Sequence, residues 1–453
     1  MIDCLPVNFT ATGNHRLNVI PRDQHCISRK NISDSALKVM SRLRNKGYQA
    51  YLVGGAVRDL LLGGHPKDFD VATDATPEAV HALFRNSRII GRRFRIVHVR
   101  FGREIIEVTT FRGHHENGDA VDKSSKGNQS RQSSSGLLLR DNVYGTLEED
   151  AVRRDLTVNA LYYDSGKFEV FDHVHGLKDL ERRNICVIGD PAVRFTEDPV
   201  RMLRVLRFAA KLNFNIDPET AKAIPACAHL LGEIPSARLF DEFLKLFLAG
   251  YAAATLEQLL RHDLLQYLFP ETSHALHKDP TALALIRAAM GNTDERIAKG
   301  KPVTPAFILA ALLWPVTLRE SQHLQNRGDA PMVAMHSAAQ QTISEAAQHI
   351  SIPRRFSQPM REIWEFQLRL TRRHGKKAAE LVEHRRFRAA YDFLLLREQA
   401  GEDTGNLGQW WTDFQELPME QRLEQAAAQS KPGGSDRKRG GRRTRTRRSN
   451  KPT

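Results

Sequence analysis

The chain has 453 residues and a formal net charge of +14, with 67 Lys/Arg against 53 Asp/Glu, so it is too long for one small domain and biased toward polyanionic partners. No run of about 18 apolar residues is present and the N-terminus lacks the basic and apolar regions of a secretory signal, so no membrane insertion and no leader are expected. Cys4, Cys26, Cys186 and Cys227 have the spacing of neither a zinc site nor a disulfide framework, which points to a reducing cytoplasm.

Taken in chain order, residues 1–30 are weakly patterned and expected to be flexible. An amphipathic helix is expected over Ser33–Gly47, with Leu37, Met40 and Leu43 on one stripe. A short strand at Ala50–Val53 runs into the Gly54-Gly55 turn, and Val57–Leu62 reads as one or two helical turns. Asp68–Ala72 reads as a strand, and Pro77 opens a helix through Phe84. Arg88–Phe111 reads as successive strands with a hairpin turn at Phe101-Gly102-Arg103. Residues 113–136 are polar and expected to form a mobile loop. A helix is expected around Glu148–Tyr162, followed by a small β element, KFEVFDHV. From Phe195 the pattern is helical, with Asp198 as a cap and Pro199 in the first turn of one helix. Residues 431–453 carry ten Lys/Arg against one Asp and are expected to be a disordered basic tail suited to nucleic acid or an anionic surface. The expected class is therefore α+β: a flexible segment 1–30, a head over 31–190, a helical neck over 191–255, a helical body over 256–430, and the tail.

Neither a G-x-G-x-x-G fingerprint nor a P-loop is present. The chemistry rests instead on carboxylates. On one strand, Asp68 and Asp70 point to the same face with Cα atoms about 6–7 Å apart. Like charges so placed repel unless a cation lies between them. Carboxylates bridging two divalent ions serve in-line phosphoryl and nucleotidyl transfer, and Mg²⁺ suits hard oxygen ligands. Gly54 and Gly55 allow a backbone to approach a triphosphate, and Arg58 adds a cationic fork. Asp59 reads as a salt-bridge or capping residue.

A third carboxylate has two candidates. Glu107 shares a strand face with Ile105 and Thr109. Asp155 lies after Arg153 and Arg154 and, four residues from Asn159, would share a helix face able to clasp ribose and phosphates. Arg201, Arg204, Arg207 and Lys211 form one cationic helix stripe. Only Glu197 and Asp198 lie nearby in sequence, so the stripe calls for an anion, and a triphosphate is a natural one.

Four stretches, LVGGAVRDLLLG, KDFDVAT, RRDLTVNALYY and EDPVRMLRVLRFAAKL, resemble in order the motifs of the class II nucleotidyltransferases, which comprise bacterial poly(A) polymerases and tRNA CCA-adding enzymes. The resemblance implies a five-stranded nucleotidyltransferase head of the polymerase-β-like kind, followed by helical neck, body and tail. It implies attack of an RNA 3′-hydroxyl on the α-phosphate of a ribonucleoside triphosphate, with Asp68 and Asp70 holding two Mg²⁺ ions and Asp155 grouped with them. Gly54, Gly55 and Arg58 match nucleotide-contacting positions. Arg154, Arg204 and Arg207 match triphosphate and ribose contacts, and Asp198 and Arg201 match the pair that reads the base. The capping reading of Asp198 stands beside that role.

Three stretches, IIGRRFRIVHVRFGREIIEVTTFRGHHE, LLRDNVYGTLEEDA and HRRFRAAYDFLLLREQ, together with the basic tail, resemble the poly(A) polymerase branch. That implies ATP as substrate, RNA 3′ ends as acceptor and, as a family expectation, RNA-decay proteins as partners. A tRNA CCA-adding enzyme is the alternative, and an RNA-binding regulator with a degenerate head is a reading from another class. Arg261-His262-Asp263 lacks the partner histidines of a metal-dependent phosphohydrolase and reads as structural.

Overall fold

The computed structural model describes residues 17–91, 95–113, 131–132, 138–140 and 143–428. The tail, residues 1–16 and most of the expected loop over 113–136 lie outside that set.

The N-terminal half is built on a mixed sheet of eight strands rather than five, in the order β1-β10-β9-β2-β3-β6-β5-β4. The strands are β1 (Asn18–Ile20), β2 (Ala50–Val53), β3 (Asp70–Thr73), β4 (Ser87–Ile90), β5 (Ile96–Phe101), β6 (Glu104–Thr110), β9 (Leu161–Asp164) and β10 (Glu169–Asp172). Two short strands, β7 (Arg131–Gln132) and β8 (Leu138–Arg140), pair with each other apart from it. Within the large sheet β3 and β6 pair in parallel, and every other neighbouring pair is antiparallel.

Three sequence expectations shift here. Asn18–Ile20 pairs with β10 and Ile20 is buried, so the flexible segment expected over 1–30 does not extend through β1. A three-residue strand is too short to carry a periodic signal. β3 begins at Asp70, which leaves Asp68 just ahead of it. The helix expected around Glu148–Tyr162 stops early: α4 (Leu147–Arg153) ends where Arg154 turns extended, and a single 3₁₀ turn, Thr157–Asn159, precedes β9.

Register gives the sheet two unlike faces. The row Leu52–Val71–Val108–Val97 is buried in the main core with Ala36, Val39, Met40 and Leu43 of α1 (Asp34–Arg44) and Val80 of α3 (Pro77–Leu83). Both helices start on side-chain caps: Ser33 Oγ accepts from Ser35 and Ala36, and Thr76 Oγ1 accepts from Ala79. One residue along, the row Tyr162–Val53–Asp70–Glu107–His98 lies on the opposite face. Its apolar support is a small separate cluster of Val53, Ala72, Phe111, Ala151 and Tyr162. The sheet thus spends one face on stability and leaves the polar row of the other free for chemistry.

From α6 (Pro191–Glu197) to Ala428 the described chain is almost entirely helical. α7 (Val200–Leu212) is amphipathic, burying Met202, Leu203, Val205, Leu206, Phe208 and Ala209. The main core continues from the sheet into these helices as far as Leu396. A second cluster around Phe366, Tyr391, Trp411 and Phe414 closes the C-terminal end. Among the described residues no helix is long and apolar enough to cross a membrane.

One buried carboxylate fixes the turn beside the polar face. Asp172, at the end of β10, accepts from the backbone N–H groups of Val174 (3.1 Å), Gly176 (2.9 Å) and Leu177 (3.0 Å). These start α5 (Gly176–Arg182), which packs on the Thr157–Asn159 turn so closely that a Cβ on Gly176 would lie 2.2 Å from the Thr157 carbonyl oxygen. Asp172→Ala leaves buried donors unmatched and is expected to lower the unfolding free energy by about 3 kcal/mol, read from the urea midpoint.

Candidate active site

The parallel pairing of β3 with β6 sets Asp70 directly beside Glu107, and the β5–β6 pairing sets His98 beside Glu107 on its other side. Phe69 is buried, so the extended backbone carries Asp68 and Asp70 to the same side, away from it. Among the described residues neither Asp68 nor Asp70 has a side-chain hydrogen bond or ion pair, whereas Glu107 Oε1 lies 3.0 Å from His98 Nε2. Burial, followed by repulsion from Glu107 and Asp68, pushes the Asp70 carboxyl up to about 6 despite the opposing charges of Arg154 and His98.

A half-buried carboxylate with two acidic neighbours offers hard oxygen donors of the kind a divalent cation takes. Among the described residues no three His, Cys, Asp or Glu side chains converge into a ready metal cage. The set is therefore open and would draw further oxygen ligands from water or phosphate, as Mg²⁺ commonly does. Of the two candidates for the third carboxylate, Glu107 is the one that β pairing brings to Asp70.

The glycine turn sits at the end of β2. Gly54 has φ +74° and ψ −134°, a conformation that only glycine adopts without strain, and its N–H donates to the Leu161 carbonyl at 3.2 Å. A Cβ at this position would stand 3.6 Å from Nη1 of Arg154. Gly55 opens α2 (Gly55–Leu61), where a Cβ would lie 3.4 Å from Nη2 of Arg58. Arg154 is held over the turn by Asp150, whose Oδ2 accepts from its Nη2 at 3.1 Å, and by the Tyr162 hydroxyl, which accepts from its Nε at 2.8 Å. Arg58 is buried, donating from Nη1 to Asn159 Oδ1 at 2.5 Å and pairing with Asp59 at 2.6 Å.

Asp155 and Asn159 do not share a helix face, because α4 has already ended. Leu156 and Val158 are buried, and a backbone bridge joins Leu156 to Val187, so the segment follows the apolar contacts instead of continuing the helix. Asn159 positions Arg58, while Asp155 faces α7. Its Oδ2 accepts from Arg204 Nε at 2.5 Å and its Oδ1 from the Leu156 N–H at 2.9 Å. Burial works to raise this carboxyl, but the Arg204 charge and hydrogen bond prevail and hold it down at about 2.

The cationic stripe of α7 is better partnered than local sequence suggests. Arg201 pairs with Glu197 (2.7 Å) and donates to the Arg194 carbonyl (2.9 Å). Arg204 pairs with Asp155, and Lys211 with Asp59 (3.3 Å). Asp155 and Asp59 come from far along the chain, which is why four cations seemed to face only Glu197 and Asp198. Asp198 is not paired with Arg201. Its Oδ2 accepts from Arg238 of the helix Ser236–Phe247 at 2.7 Å, and its Oδ1 accepts from the Val200 N–H at 3.3 Å; α7 begins at Val200 with Pro199 at the capping position, so Asp198 stands one residue ahead of the cap expected of it.

Among the described residues the buried Nε of Arg207 has no hydrogen-bond partner. The guanidinium groups of Arg58, Arg204 and Arg207 lie 5.0, 5.6 and 4.7 Å from the Phe208 ring centroid, so one aromatic side chain gathers three cations from two helices.

Several positioning residues escape sequence reasoning. Arg194 donates from Nη2 to the carbonyl oxygens of Arg153 and Arg154 at 2.6 Å each, tying α6 to the Arg154 turn. Asp150 precedes Arg154 by one helical turn, a spacing that could have flagged it. The register of the Gly102 hairpin could have flagged His98 as the neighbour of Glu107, whereas nothing local marks Arg238 as the neighbour of Asp198. His262 and Asp263 close the helix Ala252–Arg261 and belong to no metal cluster among the described residues.

Comparison with known proteins matches this geometry to a lineage. The Poly A polymerase head domain family matches residues 50–186, the "Probable RNA and SrmB- binding site of polymerase A" residues 213–276, and the "Polymerase A arginine-rich C-terminus" residues 327–449. Poly(A) polymerase I of Salmonella typhimurium is 50% identical over 418 residues, covering 91% of this chain and 89% of that one. The chain belongs to the poly(A) polymerase I family. A CCA-adding enzyme of Bacillus pumilus is 39% identical, but over only 51% of this chain and 54% of that one. In structure, the CCA-adding enzyme of Bacillus stearothermophilus in complex with CTP is similar at a TM-score of 0.57 and 26% identity, covering 86% of this chain and 81% of that one. The nucleotidyltransferase fold, a mixed-sheet head followed by helices, is thus established for this poly(A) polymerase I family member.

The Asp155–Arg204 pair makes a stability prediction. Asp155 titrates below its unfolded value, so its contribution of about 2 kcal/mol is present above about pH 4 and lost as pH falls through about 2. Asp155→Asn is expected to lower the unfolding free energy at pH 7 by about 2 kcal/mol, read by thermal or urea unfolding, because it leaves a partly buried guanidinium uncompensated.

Proposed function

We propose that this chain transfers AMP from ATP to RNA 3′ ends and releases pyrophosphate. The observation that carries the reading is the 50% identity to a poly(A) polymerase I over nine-tenths of both chains, against a match to CCA-adding enzymes that stops at about half. The head, neck, body and tail boundaries given above belong to the same proposal, with RNA contacted by the body and the basic tail, in the cytoplasm, and with RNA-decay proteins as partners.

The residues divide the work by chemistry. Asp68 and Asp70, joined by Glu107, would hold Mg²⁺. When bound, two such ions supply Lewis acidity that eases deprotonation of the RNA 3′-hydroxyl and neutralises the leaving pyrophosphate. Arg58, Arg204 and Arg207 present three guanidinium groups around Phe208 to a triphosphate, and the unsatisfied Nε of Arg207 supports that role. Arg154 stands over Gly54 and Gly55, where a nucleotide can approach the backbone closely. Asp198 and Arg201 read the base, held in place by Arg238 and Glu197. Asp155 acts by fixing Arg204, not by holding metal.

Incubation with an unstructured RNA and each nucleotide singly tests the reading. Long A tracts made from ATP are expected; CTP incorporation confined to tRNA ends would assign the chain to the CCA-adding branch. Asp70→Ala and Glu107→Gln are expected to reduce AMP incorporation at least about 100-fold while RNA binding and thermal stability persist. Full activity in either variant contradicts the carboxylate assignment.

A further inference from the structure

A cavity of about 650 Å³ lies in the helical part of the chain, and no active-site residue lines it. It is formed at the C-terminal end of the helix Arg354–Leu370, by the turn that follows, and by the helix Lys376–Val382. Leu368 and Leu381 give it an apolar lining, and Arg369, Arg372, Lys376 and Lys377 make its rim cationic against Glu380 alone. Residues 369–377 hold five Lys/Arg and no Asp or Glu. Lys376 pairs with Glu380 at 3.3 Å and Arg369 approaches Glu365 at 3.8 Å. Arg372 and Lys377 are exposed, and neither has an ion pair among the described residues. The imidazole of His384 packs against the buried Phe366 ring at a 43° tilt with centroids 4.8 Å apart, and the Arg369 guanidinium lies 5.1 Å from the centroid of the same ring. The wall therefore offers flat side chains, the Arg369 guanidinium and the His384 imidazole, beside an apolar lining.

We propose that this cavity seats one nucleotide of single-stranded RNA upstream of the 3′ end being extended, with its phosphates on Arg372 and Lys377 and its base against Leu368, Leu381 and the imidazole of His384. Phosphate-tracking cations combined with stacking planes are the features that sequence-tolerant single-strand binding requires. The volume lies within the range of about 300–1,000 Å³ that small-ligand pockets occupy. An acidic peptide would use the cations but not the flat planes. The inference rests on the adenylyltransferase reading and adds to it a second RNA contact, away from the catalytic carboxylates.

The test uses the full chain and the double variant Arg372→Ala/Lys377→Ala. Binding of a fluorescein-labelled 20-nucleotide oligoadenylate is followed by anisotropy across a KCl series, and AMP addition is measured on that RNA and on a 5-nucleotide primer. The variant is expected to bind the long RNA about 5–10-fold more weakly at 100 mM salt. Its slope of log Kd against log salt should fall by about 1.4, the value for two lost phosphate contacts to a single strand. KM for the short primer and for ATP should stay unchanged. Equal affinity and slope in the two proteins overturns the proposal and leaves the cavity to a protein partner; equal losses on both primer lengths overturn it as well. If the wild-type chain adds AMP to neither primer the functional reading fails, while the anisotropy series still decides the cavity.

Discussion

The organising constraint is repulsion among carboxylates that the backbone will not let apart. Parallel pairing of β3 with β6 fixes Asp70 beside Glu107, and one extended step brings Asp68 to the same side. The sheet cannot relieve this by a register shift, because moving one residue would expose Val71 and Val108 and bury the acids. The core on the far face therefore holds the acids together, and burial, followed by repulsion from Glu107 and Asp68, raises the Asp70 carboxyl to about 6. A divalent cation removes that repulsion, so the geometry of the sheet is itself the argument for a metal.

Around this acidic centre the cations are held in place before any nucleotide arrives. Arg154 is fixed by Asp150 and Tyr162, Arg58 by Asn159 and Asp59, and Arg204 by Asp155. The Arg58–Asn159, Arg154–Tyr162 and Arg204–Asp155 contacts join different segments, so the turn after α4, the helix that follows the glycine turn, β9 and α7 are tied together through them. Such buried pairs add little net stability compared with apolar packing, but removing one partner is costly. Their value here is placement: guanidinium groups already oriented lose little freedom when an anion binds.

Much of this was legible in the sequence, and the limits have physical reasons. The helix starts near Ser33 and at Pro77, the Gly102 hairpin and the amphipathic stripe of α7 are local signals, and they appear where expected. The end of α4 was not legible, because tertiary burial of Leu156 and Val158 overrides a helix-compatible pattern. Nor was the choice between Glu107 and Asp155, since both are plausible by residue type and only the β3–β6 register separates them. The partners of Arg204 and Lys211 lie 49 and 152 residues away in sequence, beyond any local reading. Motif order, by contrast, pointed to the family before any contact was known.

The central claim is that the fold forces Asp70 against its acidic neighbours and that a divalent cation relieves the repulsion. Carboxyl NMR on ¹³C-aspartate-labelled protein, titrated with pH in the absence and presence of Mg²⁺, tests this directly. The account predicts an Asp70 midpoint near 6 without the cation and a clear fall when it is added. A midpoint in the ordinary aspartate range of about 4, unmoved by Mg²⁺, would contradict it.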